Sequence, residues 1–137
     1  MLVVDAGPLV AAAATRDQNH QRCVELLADA IPPLLVPALV VTEVAYFLQR
    51  RISPVAERAF ACSLRLGELL VEPVEPADWD RIDELVGQYA DLPLGIVDAS
   101  VVATCERLGE TKLATLDHRH FSVVRPRHCA ALTLLPS

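Results

Sequence analysis

The chain has 137 residues, enough for one domain with a sizeable core and too few for two ordinary ones. Hydrophobic residues make up 53% of it and the mean hydropathy is +0.35, yet every apolar run meets a charge or a proline before the roughly 20 residues that a membrane span needs, which argues against a membrane protein. A formal charge of −6 excludes a broad electrostatic nucleic-acid binder, because such proteins neutralise phosphates with many lysines and arginines. Any nucleic acid must then be engaged locally or through a metal ion.

Met1 to Val4 is a short apolar run, followed at once by Asp5, Gly7 and Pro8. It predicts a buried strand, a turn and a helix start, and with no basic stretch before it there is no signal-peptide pattern, so a cytoplasmic protein is expected. The alanine-rich stretch after Pro8 reads as helical. His20, Cys23, Val24, Leu27 and Ile31 follow helical spacing and predict a second helix from about Asn19 to Ala30, stopped by Pro32 and Pro33.

Leu34 to Val36 is expected as a second strand and Leu39 to Arg50 as a helix. Ser53 and Pro54 form an N-cap and first-turn pair for the next helix, which Gly67 ends. A third strand is read at Leu69 to Val71. Trp79, Ile82, Val86 and Tyr89 then mark an amphipathic helix whose first turn carries Asp78 and Asp80, acids that suit a helix N-terminus, and with Asp83 and Glu84 they read as a solvated face. Val97, Val101, Cys105 and Leu108 line a further helix closed by Gly109, and Lys112 to Leu116 forms a fourth strand running into Asp117. Val123–Val124 and Leu132–Leu135 are expected as late edge strands. Short apolar strands alternating with helices predict a single α/β domain over residues 1–137, with a mainly parallel sheet.

The four cysteines, Cys23, Cys62, Cys105 and Cys129, stand singly with no C-x-x-C pair and read as reduced thiols. Most of the acids sit among polar neighbours. Asp5 in LVVDAGPLV, Glu43 in LVVTEVAYF, Asp98 in GIVDASVVA and Asp117 after KLATL do not. A carboxylate in apolar surroundings costs several kcal/mol unless it is paired or metal-bound. Taken singly, each has a bland explanation: Asp5 and Asp117 as strand-end turn caps, Asp98 as a helix N-cap, Glu43 paired with Arg50 or Arg51. Together, two end strands and two enter helices that follow strands, so all four can reach the carboxyl edge of one parallel sheet, where such sheets place their sites. Four converging carboxylates repel one another and, as hard oxygen donors, suit Mg²⁺ or Mn²⁺, which points to phosphoryl chemistry.

At these residues the sequence resembles the PIN-domain ribonucleases, and within them the VapC-type toxins of toxin–antitoxin pairs. The likeness runs from VVDAGPLVA through TEVAYFL and DLPLGIVDASVVATCERLG to KLATLDHRHFSVV. It implies a three-layer PIN-like sandwich, an Mg²⁺-dependent endoribonuclease (with Mn²⁺ as the other candidate ion), an RNA substrate, a cognate antitoxin and a homodimer. It also implies that Asp5, Glu43, Asp98 and Asp117 are the catalytic acids. Asp5 and Asp98 are then the principal metal ligands, Asp117 is a further ligand, Glu43 positions or activates water, and Thr115 supports them as the hydroxyl of a T-x-D segment. Ala6 stands where many relatives carry Ser or Thr, and Gly95 where some carry another Asp. The competing reading is a non-catalytic interaction module of the same fold, in which retained mutual repulsion among four acids has no evident use.

Asp117, His118 and His120 fall within four consecutive residues, a spacing that seldom lets three ligands share one face, so the two histidines are read as loop residues. Arg50, Arg51, Arg58 and Arg65 are candidates for guiding RNA, with solvated helix surface as their default reading. A phosphatase of the haloacid-dehalogenase kind would need an acid where Gly7 stands.

Overall fold

The computed structural model describes residues 1–137. Five strands, β1 (Leu2–Val4), β2 (Leu34–Pro37), β3 (Leu70–Glu72), β4 (Lys112–Ala114) and β5 (Thr133–Leu135), form one sheet of order β3-β2-β1-β4-β5. Every pairing is parallel, with Val3 opposite Leu35 on one side and Leu113 on the other. Seven helices connect the strands: α1 (Ala6–Ala13), α2 (His20–Asp29), α3 (Ala38–Phe47), α4 (Pro54–Arg65), α5 (Pro76–Gln88), α6 (Ile96–Leu108) and α7 (His118–Phe121). A π-helical turn, Leu48–Ile52, extends α3. The chain steps outward from β1 to β2 to β3 and then returns past β1 to β4. Right-handed crossovers therefore place α1–α4 on one face and α5 and α6 on the other, giving three layers. The order reverses between β1 and β4, which makes their carboxyl ends the switch point where such sheets open a crevice.

Val3, Val4, Val36, Leu113 and Ala114 are fully buried, and their near-continuous apolar character is what a strand covered on both faces requires. Helix α6 is buried from Ala99 to Cys105, including two hydroxyl residues. Those are satisfied locally: Ser100 donates to the Val97 carbonyl at 2.6 Å and Thr104 to the Ser100 carbonyl at 2.8 Å. Ser53 caps α4 by accepting from the Ala56 N–H at 3.1 Å, as its place before Pro54 predicts.

Two expectations need correction. Val123–Val124 is no strand; Val124 is fully buried and plugs the core from a turn. Asp78 is not on a solvated face. It is buried, accepts the Glu75 N–H at 2.9 Å at the start of α5, and takes the Arg107 Nε at 3.2 Å on each oxygen. Arg107 also reaches Glu72 at 2.8 Å and the Pro73 carbonyl at 3.1 Å, while Arg81 grips Glu106 through two bonds of 2.8 and 2.9 Å. These ion pairs join α5 to α6. All four cysteines are free thiols, Cys23 and Cys105 buried, and burial pushes the Cys105 thiol up to about 12. No helix is long and apolar enough to cross a membrane.

Candidate active site

Asp5 follows β1 directly, and its N–H donates to the Ala114 carbonyl at 2.9 Å, continuing the β1–β4 ladder by one residue. It occupies the N-cap position of α1, but its side chain makes no capping bond. The carboxylate turns toward the segment that follows β4. There the Thr115 hydroxyl donates to Asp5 Oδ2 at 2.8 Å and accepts the Asp117 N–H at 3.0 Å. Thr115 thus ties the ends of two neighbouring strands together. Asp5 Oδ1 is buried and has no hydrogen-bond partner. At 6% exposure the Asp5 carboxyl is pushed up to about 6, first by burial, with Asp98 and Asp117 adding repulsion against the Thr115 bond.

The close approach of these segments depends on Gly7. A Cβ there would lie 3.1 Å from Leu116 Cβ, and Leu116 precedes Asp117. With hydrogen at that place, α1 can start against the β4–α7 connection.

Asp98 lies in the first turn of α6, three residues after the N-cap Gly95. Its carboxyl is held above the usual range by burial and by Asp117, against a contact with His120. Asp117 caps the short α7, accepting the His120 N–H at 3.0 Å. That single turn swings the His120 ring back so that Nδ1 lies 2.8 Å from Asp117 Oδ2 and 3.2 Å from Asp98 Oδ2. Asp98, Asp117 and His120 offer ligand atoms that all lie within 4.8 Å of one another. Glu43, half-buried on α3, is raised by burial and then by Asp5 and Asp98. Neither arginine considered as its partner pairs with it: Arg50 lies over the Tyr46 ring at 5.6 Å and Arg51 over the Phe47 ring at 4.7 Å.

Of the four acids singled out in the sequence, Asp5, Asp98 and Asp117 repel one another, Glu43 feels Asp5 and Asp98, and Thr115 links Asp5 to the Asp117 backbone. The tightest donor set, however, is not the expected Asp5, Asp98 and Asp117. His120 joins Asp98 and Asp117 in that set, while His118 takes no part. The missed signal is the D-x-x-H spacing, which one helical turn closes. Two carboxylates and an imidazole with ligand atoms this close together, near a buried carboxylate oxygen that has no donor, fit a divalent cation. A concavity of about 770 Å³ lies elsewhere, between α1, α2 and α4, lined mostly by apolar residues such as Leu9, Leu27, Val55 and Phe60. That groove has one carboxylate, Glu68, and no cluster.

The whole chain has a sequence relative in Ribonuclease VapC26 of Mycobacterium tuberculosis, 28% identical over 135 residues that cover 98% of this chain and 100% of that protein. Among solved structures, the fold is similar to VapC20 of Mycobacterium tuberculosis, described as a Sarcin-Ricin loop cleaving toxin, with a TM-score of 0.75 and 24% identity over 82% of this chain and 87% of that one. It is also similar to FitAcB from Neisseria gonorrhoeae, with a TM-score of 0.57 and 20% identity over 86% of this chain and 88% of that one. Residues 2–125 match the PIN domain, and with the sheet order and the acid-lined switch point in place, the chain belongs to the PIN domain family.

Proposed function

We propose that this chain is a metal-dependent endoribonuclease that hydrolyses RNA phosphodiester bonds and serves as the toxin of a toxin–antitoxin pair. The observation that carries the reading is the gathering of Asp5, Glu43, Asp98 and Asp117 at the switch point, with Asp5 Oδ1 buried and unpartnered. Full-length similarity to a ribonuclease supports the choice of RNA. Asp5, Asp98 and Asp117 are the residues that would hold a divalent ion, Mg²⁺ or Mn²⁺. When bound, such an ion supplies an activated water and charge stabilisation on the phosphate.

The chain's own residues do the rest. Thr115 holds Asp5 Oδ2 so that Oδ1 is left for a ligand. Asp98 and Asp117, with side chains 22% and 36% exposed, keep the site open to a phosphodiester arriving from solvent. Glu43, with its raised pKa, is placed to accept a proton from the attacking water. Attack on phosphorus in line with the bond to O3′ breaks that bond and yields 5′-phosphate and 3′-hydroxyl ends.

A toxin working in the cytoplasm needs a cognate antitoxin. The apolar groove between α1, α2 and α4 offers a place for the apolar face of such a partner. A homodimer belongs to the same reading, on the strength of the family.

The test is cleavage of single-stranded RNA by purified protein with Mg²⁺ and with EDTA. EDTA should abolish cutting, and Asp98→Asn should lower it by about a hundredfold or more while the fold is kept. Cutting by Asp98→Asn at the wild-type rate would overturn the assignment. Expression without any neighbouring gene should arrest growth, whereas the Asp5→Asn chain should not; equal growth of the two strains would count against the toxin role.

A further inference from the structure

We propose that His120 is a nitrogen ligand of the ion site, beside Asp98 and Asp117, and that it makes the site prefer a first-row transition ion over Mg²⁺. The inference rests on the metal-dependent reading above and specifies the ion. Its basis is placement. Asp117 caps α7 by accepting the His120 N–H, and that turn is anchored by Phe121, which is fully buried. The imidazole is therefore fixed by packing, with Nδ1 facing the two carboxylates at 2.8 and 3.2 Å.

Those spacings match a coordination shell. An octahedral ion with bonds of about 2.1 Å sets adjacent ligand atoms about 3.0 Å apart. Next to this set Asp5 Oδ1 is buried without a partner, and Asp5 feels the charges of Asp98 and Asp117, so an unsatisfied oxygen lies in their neighbourhood. Imidazole is an ordinary ligand for transition ions, whereas Mg²⁺ keeps oxygen donors and waters. A set of two or three carboxylates with one imidazole therefore favours the former. The rival role for His120 is a hydrogen-bond donor that merely holds Asp98 and Asp117 together, and this predicts no bond from nitrogen to the ion.

Mn²⁺ is the probe. The full-length protein is titrated with Mn²⁺ under electron paramagnetic resonance, and the bound ion is examined by electron spin-echo modulation. The wild type should show modulation from a directly bonded ¹⁴N. It should persist in His118→Asn and vanish in His120→Asn. Mn²⁺ affinity should fall about tenfold or more in His120→Asn, while Mg²⁺ affinity, read by competition, should change far less. Wild-type protein that binds Mn²⁺ without nitrogen modulation overturns the proposal, whether or not His120→Asn folds. Equal loss of Mn²⁺ and Mg²⁺ affinity in a folded His120→Asn overturns the preference. Failure of the wild type to bind Mn²⁺ at all would instead bring down the metal-dependent reading itself, and this proposal with it.

Discussion

The Thr115 hydroxyl donates to Asp5 Oδ2 at 2.8 Å, joining residues 110 positions apart in the chain. It is the one side-chain donor to a buried carboxylate whose other oxygen has none. Thr115→Val should therefore cost about 1–3 kcal/mol, since the Asp117 N–H loses its acceptor as well. Thr115→Ser should restore most of it. Urea unfolding at neutral pH measures both, with the midpoint expected to move and the slope to stay. Equal midpoints for Thr115→Val and wild type would show that the bond contributes nothing to the fold.

Asp5 makes metal-free stability depend on pH in a defined direction. Its folded-state value of about 6 lies above the ordinary 3.8, so above pH 6 the group is ionised in both states and its penalty is fully present. As pH falls through 6 the folded state takes up the proton first. Stability rises, and the relief is complete below the unfolded value. The full effect is of the order of 3 kcal/mol. Asp5→Asn, nearly isosteric, should melt higher than wild type in EDTA at neutral pH and lose that advantage near pH 4. The comparison also isolates Asp5 from Glu106, whose lowered value, set by Arg81 and Arg127 against its burial, acts in the opposite sense at more acid pH. Millimolar Mg²⁺ should raise the wild-type melting temperature and shift the variant much less. A wild type that ignores Mg²⁺, and a variant no more stable in EDTA, would together mean that the acids do not act as one cluster.

Gly7→Ala should impair cleavage beyond its effect on stability. The new methyl would sit 3.1 Å from Leu116 Cβ and push the segment carrying Asp117 by a few tenths of an ångström. A stability loss of about 1 kcal/mol and a several-fold drop in cleavage rate are expected. Gly87→Ala, on α5 with open space around it, serves as the control and should be neutral or slightly stabilising. Wild-type cleavage by Gly7→Ala would show that the close approach does not set the site's geometry.

Asp78→Asn should cost about 2 kcal/mol without touching the chemistry, because Arg107 loses its buried partner between α5 and α6. Asp80→Asn, exposed on the same helix, should stay within about 0.5 kcal/mol. Thermal melts and RNA cleavage of both variants check this. A similar melting temperature for the two would mean that the α5–α6 ion pairs are dispensable.

The sequence by itself determined the order of the elements from β1 to β4, because each of these strands is a short apolar run and the helices carry their own punctuation: Ser53 with Pro54, Gly67, Gly109. It also singled out four acids, since a carboxylate among apolar neighbours is expensive and its context is visible locally. What it could not determine is who touches whom. The polar neighbours of Asp78 in the chain suggested solvent, but Arg107 lies 29 positions away and only packing brings it in. Val123–Val124 has the composition of a strand, yet both of its N–H groups donate to the His120 carbonyl, closing the end of α7 instead of pairing with a strand. His120 was hidden for the same reason. Its partnership with Asp117 is a matter of one helical turn, but its partnership with Asp98 exists only because the reversal of strand order sets the start of α6 beside the end of β4. Spacing along the chain reports the first kind of contact, and tertiary structure alone decides the second.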